Sequence, residues 1–197
     1  MEQYKNIFEI RHNSLRPQKG RILISEPFLR DVYFQRSVIL LVEHSARGSM
    51  GFVLNKRTDL IVNDLFPELK DLPDIPVYLG GPVGSNHLFF MHLLDKNIPN
   101  GVEIGNGLRF DGNFEALKKY MLDRNPVEGK IKFFIGYSGW TENQLNGEII
   151  NDSWLVSTMT SDEMMQASDD TFWKESVKSL GRPYEAWTNY PKYPDMN

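Results

Sequence analysis

The sequence predicts an α+β protein: a mostly antiparallel or mixed, curved sheet, barrel-like if its ends meet, with flanking helices. Three observations carry this. Apolar runs of strand length recur at residues 20–25, 36–43, 52–54, 77–79, 87–94, 132–137 and 154–159. The links between the earlier runs are too short for βαβ crossovers, which need about 10–12 residues. Helical periodicity is confined to a few segments, and the clearest of them lie in the second half of the chain.

Each element follows in order. Residues 1–19 are polar and form an N-terminal arm closed near Pro17. The run 20–25 is a short strand stopped by Pro27, and 28–35 mixes aromatic and charged residues as a turn or short helix. Residues 36–43 form the strongest strand, a continuous Val/Ile/Leu run of the kind covered on both faces. The turn 45–51 then joins it to 52–54, an antiparallel pair. Ile61, Leu65 and Leu69 at helical spacing predict a short helix interrupted by Pro67. Strands at 77–79 and 87–94 follow, separated by Gly80-Gly81-Pro82-Val83. Phe114, Leu117, Met121 and Leu122 share one face of a helix over 113–124, with Asp111 or Asn113 as N-cap. Thr160 and Glu163 form a capping box. Trp173, Val177 and Leu180 face inward on a last helix ended by Gly181. The resulting organisation is an arm at 1–19, one α+β domain at 20–181 and an aromatic strap at 182–197.

Bulk properties exclude several function classes. The chain has 197 residues, of which 41% are hydrophobic and 24% charged, enough for one ordinary core. Lys and Arg total 22 against 26 Asp and Glu, a net charge of −4. A sequence-independent nucleic-acid binder needs a clustered positive field, so nucleic acid is not an expected partner. Arg16, Lys19 and Arg21 are the nearest thing to a basic patch and read as a solvated segment. There is no cysteine, which removes disulfides, thiolate zinc sites and Cys nucleophiles. No run approaches the roughly 20 apolar residues of a membrane span, and the first residues lack the apolar stretch of a signal peptide. The expected address is the cytoplasm, with no membrane partner.

The chemistry-bearing stretches each admit a structural and a functional reading. Residues 136–149 place a strand, a turn at Gly139 and a helix in succession, with Thr141 as N-cap. Gln144 stands where a capping-box partner belongs, able to reach the Thr141 backbone N–H. Gln144 and Glu148 share a helix face, and Trp140 either packs or lines a surface. Gly80, Gly81 and Pro82 make either a tight turn or a loop that lets a ligand approach. No phosphate-loop spacing accompanies them. Asp31, Arg36, Glu43 and His44 bracket the strong strand, and His44 has Ser37 or Ser49 as a conceivable nucleophile, but no nucleophile elbow is present. His87 and His92 lie five apart on one strand, hence on opposite faces. With His12 in the arm, no metal site and no cofactor are expected. The pairs Asp162-Glu163 and Asp169-Asp170 sit at helix starts and read as caps. The tail aromatics Tyr184, Trp187, Tyr190 and Tyr193 are a candidate partner surface.

Taken in order, residues 20–27, 34–41, 48–56, 80–83, 136–140, Gln144-Leu145, Glu148, Asn151 and Trp154 resemble the YqgE/AlgH family of bacterial proteins. The resemblance spans roughly residues 20–180. It implies a compact α+β fold with a sheet or barrel core and no established catalytic residues. Some family members carry the name of transcriptional regulator. Function therefore reads as a non-catalytic regulatory or binding module acting through a protein partner or small ligand. One alternative is an enzyme with a polar site at Arg36, His44, Gln144 and Glu148. The other is a DNA-associated regulator. The candidate surface comprises Arg36, His44, Gly80, Gly81, Pro82, Trp140, Gln144 and Glu148.

Overall fold

The computed structural model describes residues 13–192. His12, Tyr193 and most of the N-terminal arm lie outside the described residues. Ten strands form one sheet, ordered β10 (Trp154–Ser157), β1 (Ile22–Ser25), β2 (Val38–Ser45), β3 (Gly48–Val53), β9 (Ile131–Trp140), β6 (Val83–His92), β8 (Leu108–Phe110), β7 (Val102–Gly105), with β5 (Pro76–Leu79) also paired to β9 and β4 (Arg57–Ile61) to β5. The fold is α+β, as the sequence predicts. The sheet is open, however, because its end strands β10 and β7 do not pair with each other.

Strands β1 (Ile22–Ser25), β2 (Val38–Ser45) and β3 (Gly48–Val53) form an antiparallel meander, and β10 (Trp154–Ser157) adds to β1. The continuous apolar run of β2 is buried on both faces, for the period-two reason that the sequence suggests. Val38, Leu40 and Val42 enter one core, which contains Trp173 and Val177 of α5 (Asp170–Ser179) and Met164 and Met165 of α4 (Ser161–Gln166). Ile39 and Leu41 enter another, with Leu145 and Ile149 of α3 (Gln144–Ile150). A third core places Leu117 and Met121 of α2 (Phe114–Leu122) against Phe90, Ile131 and Phe133.

The caps form as the residue types dictate. Asn113 accepts from the Ala116 N–H at 2.8 Å, and Thr160 and Glu163 complete a capping box. Asp169 accepts from Thr171 and Phe172, and Gly181 follows α5 at φ 88°. Two expectations change. Residues 60–69 are not one helix: β4 (Arg57–Ile61) runs into the four-residue α1 (Val62–Leu65), and Pro67 starts a separate 3-10 turn. The turn expected at Gly139 is instead strand, continuous to Trp140, and helix α3 accordingly begins at Gln144 behind a left-handed Asn143, not at Thr141.

Strand β9 (Ile131–Trp140) organises the fold. Its first half pairs with β5 (Pro76–Leu79) in parallel on one edge and with β6 (Val83–His92) antiparallel on the other. Its last residues pair with β3. The link from β5 to β6 must therefore pass across β9. Gly80, Gly81 and Gly136 allow that crossing. A Cβ on Gly80 would lie 2.3 Å from the Gly136 carbonyl oxygen, and one on Gly136 would lie 2.5 Å from that of Gly81. Ser138 Oγ seals the crossing by donating to the Gly80 carbonyl at 3.0 Å.

The hairpin β7 (Val102–Gly105) and β8 (Leu108–Phe110) ends the sheet beyond β6. Residues 182–192 return over the first core as α6 (Arg182–Glu185) and a 3-10 turn (Ala186–Asn189), burying Trp187.

Candidate functional site

The segment after β9 is built around one carboxylate. Trp140 and Trp154 both donate their indole N–H to Glu148 Oε2 at 2.8 Å. The other oxygen, Oε1, accepts from Gln144 Nε2 at 3.0 Å. Gln144 in turn accepts the Thr141 backbone N–H at 3.0 Å, the contact the sequence suggests. Phe34 closes the cluster, stacked at 6.4 Å on Trp140 and edge-on at 5.6 Å to Trp154. Trp140 and Trp154 are buried. Glu148 thus locks the β9–α3 turn to β10, because buried indole N–H groups require an acceptor. Glu148→Gln keeps the shape but loses the charge-assisted bonds, and is expected to cost about 1–2 kcal/mol. Chemical denaturation followed by tryptophan fluorescence reads it, and an unchanged midpoint would refute the role of the clamp.

Beside this lock lies a small polar cleft of about 110 Å³ between the β2–β3 turn and the start of α3, lined by His44, Ser49, Thr141, Asn143, Leu145 and Asn146. The tight turn at residues 45–48 makes His44 and Ser49 cross-strand partners, and His44 Nδ1 meets Ser49 Oγ at 2.7 Å. Asn143 is held at φ 60°, and its side chain makes no cap. Of the two serines the sequence offers beside His44, the hairpin sets Ser49 opposite it, whereas Asn143 and Asn146 are not among the residues singled out from the sequence.

The remaining candidates fall elsewhere. Arg36 precedes β2 and His44 is near its end, so about 25 Å of strand separates them. The four polar residues of the enzyme reading therefore do not converge. Arg36 is a buried pin, left-handed at φ 51°. Its Nη2 donates to the Tyr190 carbonyl at 2.6 Å, and its guanidinium carbon lies 5.2 Å from the centre of the Trp173 ring. Gln35 donates to the Lys192 carbonyl, and Lys192 pairs with Asp170 at 2.6 Å. Asn55 ties the same region together by donating to the Arg36 and Asp169 carbonyls, each at 3.0 Å. The tail residues from 184 to 192 thus lie against their own chain. Gly80 and Gly81 serve the crossing over β9, and Pro82 follows them exposed.

His92 is buried, accepting the Leu94 N–H at Nδ1 and facing the Asp111 carbonyl through Nε2, while His87 on the other face is exposed. Burial pushes the His92 imidazole below its ordinary range. No group of three metal-ligating residues occurs among the described residues. A larger cleft of about 370 Å³ separates α4 from α5, with Glu163, Asp169 and Glu175 on its walls. Glu163 and Asp169 are already engaged as helix caps.

The chain is an AlgH-like protein. The family model so described matches residues 22–185, and the chain belongs to that family. A UPF0301 protein of Parabacteroides distasonis is 58% identical over the full length of both chains (100% of each). One of Bacteroides fragilis is 46% identical across 98% of this chain and 97% of its own. The solution structure of AlgH from Pseudomonas aeruginosa superposes with a TM-score of 0.69 at 25% identity, covering 91% of this chain and 98% of that one. A crystal structure of a Corynebacterium diphtheriae protein gives a TM-score of 0.73 at 23% identity, covering 91% and 95%, a likeness of fold. No helix among the described residues is long and apolar enough to cross a membrane.

Proposed function

We infer that the protein is a non-catalytic binding module whose cleft between the β2–β3 turn and α3 receives a small polar group of a ligand or protein partner. The observation that carries this is the division of labour around Glu148. Gln144 and Glu148 are consumed in holding the cleft wall rigid, while the side chains of Asn143 and Asn146 line the cleft without a hydrogen-bond partner among the described residues. Preorganised walls with spare polar groups are what a recognition site needs. A cytoplasmic address fits this reading, since a cysteine-free chain makes no use of an oxidising compartment. The net charge of −4 keeps direct DNA binding outside it.

A thermal-shift screen of small polar metabolites tests the module. A ligand at 100 times its Kd stabilises by about 2.7 kcal/mol, or roughly 5–10 °C for a chain of this size. Asn146→Trp, at an exposed position of α3, fills the cleft and should abolish the shift while leaving the unliganded Tm within about 2 °C. A hit indifferent to the filled cleft would overturn the reading, and a screen without a hit would remove its small-metabolite arm.

The His44–Ser49 contact favours one second reading, a weak acyl-transfer centre. Its signature is turnover of an activated ester that Ser49→Ala abolishes. Turnover equal in wild type and variant would dismiss it.

A further inference from the structure

Resting on the binding reading, the chemistry of the cleft narrows its ligand. None of its lining residues is Asp, Glu, Lys or Arg. Each polar side chain that lines it can donate a hydrogen bond: an imidazole, hydroxyls and two carboxamides. Several of these are partly occupied. Ser49 meets His44, Thr141 donates to Gln144 at 3.2 Å, and Ser45 donates to the Gly48 carbonyl at 3.4 Å. What remains uncommitted is the Asn143 amide, the Asn146 amide and His44 Nε2. Asn143, just before α3, and Asn146, in its first turn, both line the cleft.

The His44–Ser49 pair adds a donor. When the Ser49 hydroxyl donates to Nδ1, the neutral ring carries its proton on Nε2. The arrangement then has three independent N–H donors and no carboxylate to repel a negative charge. A positively charged ligand would find no counter-charge among the lining residues. A purely apolar one would strand the two amides without partners.

We propose that this cleft binds a small oxyanion, a carboxylate or phosphate group, through the Asn143 and Asn146 carboxamides and the His44 ring. The group belongs either to a free metabolite or to an acidic terminus or side chain of a peptide. The bonds are exchanged with water at a solvent-facing site, so the isolated anion binds weakly, with a Kd of about 1–10 mM.

The test is an amide-resolved NMR titration of the full chain at constant ionic strength with sodium acetate, sodium phosphate, neutral acetamide and sodium chloride. Saturable shifts confined to residues 44–49 and 141–146 are expected with acetate or phosphate. They should weaken about tenfold in the double variant Asn143→Gly, Asn146→Ala. Glycine keeps the left-handed backbone at 143, and alanine suits the helix at 146, so the variant remains folded, which its own spectrum reports. A tetrapeptide with a free C-terminal carboxylate, titrated against acetate, separates the two sources by which binds tighter. Shifts that match chloride, shifts produced equally by acetamide, or shifts surviving in the double variant would each overturn the oxyanion assignment. If the metabolite screen nonetheless yields neutral ligands blocked by Asn146→Trp, the binding module stands and only the ligand class falls.

Discussion

Replacing Gly136 by alanine is expected to cost more than about 4 kcal/mol and to leave most of the protein insoluble. Two independent penalties act at this residue. Its φ of +68° is one that a β-carbon disfavours, by about 1–2 kcal/mol. The new carbon would also lie 2.5 Å from the Gly81 carbonyl oxygen and 3.0 Å from that of Val83. Both obstacles are backbone, so no rotamer change relieves them. Moving the β5–β6 link away would break the bonds that seat it, Val53 N–H to the Gly80 carbonyl and Gly80 N–H to that of Ile135, each 2.9 Å. Gly147→Ala is the matched control. That glycine is inside α3, with nothing within 4 Å of a built β-carbon, and alanine there should stabilise by about 0.5–1 kcal/mol. Soluble yield and denaturant midpoints of the two variants read the contrast. A folded Gly136→Ala protein with a near-native midpoint would mean the crossing is not as tight as its geometry states.

That crossing illustrates which parts of the fold sequence can carry. The paired glycines and Gly136 are visible as turn-formers, yet the reason for them is contact between segments more than fifty residues apart. No local pattern encodes it. Local chemistry was legible at several places where the partners are three or four residues apart. The Asn113 cap is one of the two positions, Asp111 or Asn113, that the sequence offers, while the capping box at Thr160 and Glu163 and the Gln144 bond to Thr141 follow from spacing alone. So does the double-sided burial of β2, since five consecutive apolar residues cannot alternate between core and water. The β7–β8 hairpin was missed although its signal was present. Asn106 and Gly107 both take positive φ, at 52° and 77°, the pair that a two-residue hairpin turn prefers. At the candidate site, Trp140, Gln144 and Glu148 were visible as one helix-entry unit and His44 as a strand end. Arg36 was grouped with them because nothing in sequence reveals that it pins the tail at the far end of β2. The acceptor for Trp154 was equally invisible until α3 brought Glu148 back to β10.

Lys132 makes the same point and leads to the second large effect. In sequence it is the one charged residue of the apolar run 132–137, and nothing local says how its amine is accommodated. In the fold it is 3% exposed. Its amine lies 3.7 Å from the centre of the Tyr78 ring and donates to the Ala167 carbonyl, where the chain leaves α4. Burial pushes that amine down to about 7, against an ordinary value near 10.4. Between those limits the unfolded chain holds a proton that the folded chain lacks. Stability therefore rises with pH across the window, at up to about 1.4 kcal/mol per unit. Below pH 7 the unfavourable contribution is at its full extent and no longer changes.

From pH 7 to 9.5 the gain should approach roughly 3 kcal/mol, which is about 6–12 °C in Tm for a chain of this length. The neighbouring groups fix the choice of window. His92 is also pushed down by burial, but it acts below its ordinary range near 6.5. Burial raises Tyr78, so it acts oppositely and only above about pH 10. Lys56 is pushed down by burial and by Lys192 and adds to the rise, so the wild-type slope alone does not identify its source. Lys132→Met does. It keeps the aliphatic stem, removes the titrating amine and should flatten most of the rise. At pH 7 the variant should be at least as stable as wild type, because relief from the buried charge outweighs the roughly 1–3 kcal/mol cost of an unpaired carbonyl. A variant that kept the full slope would show the Lys132 amine to be solvated. One uniformly less stable at every pH would show that its bonds to the α4–α5 connection outweigh the burial of its charge.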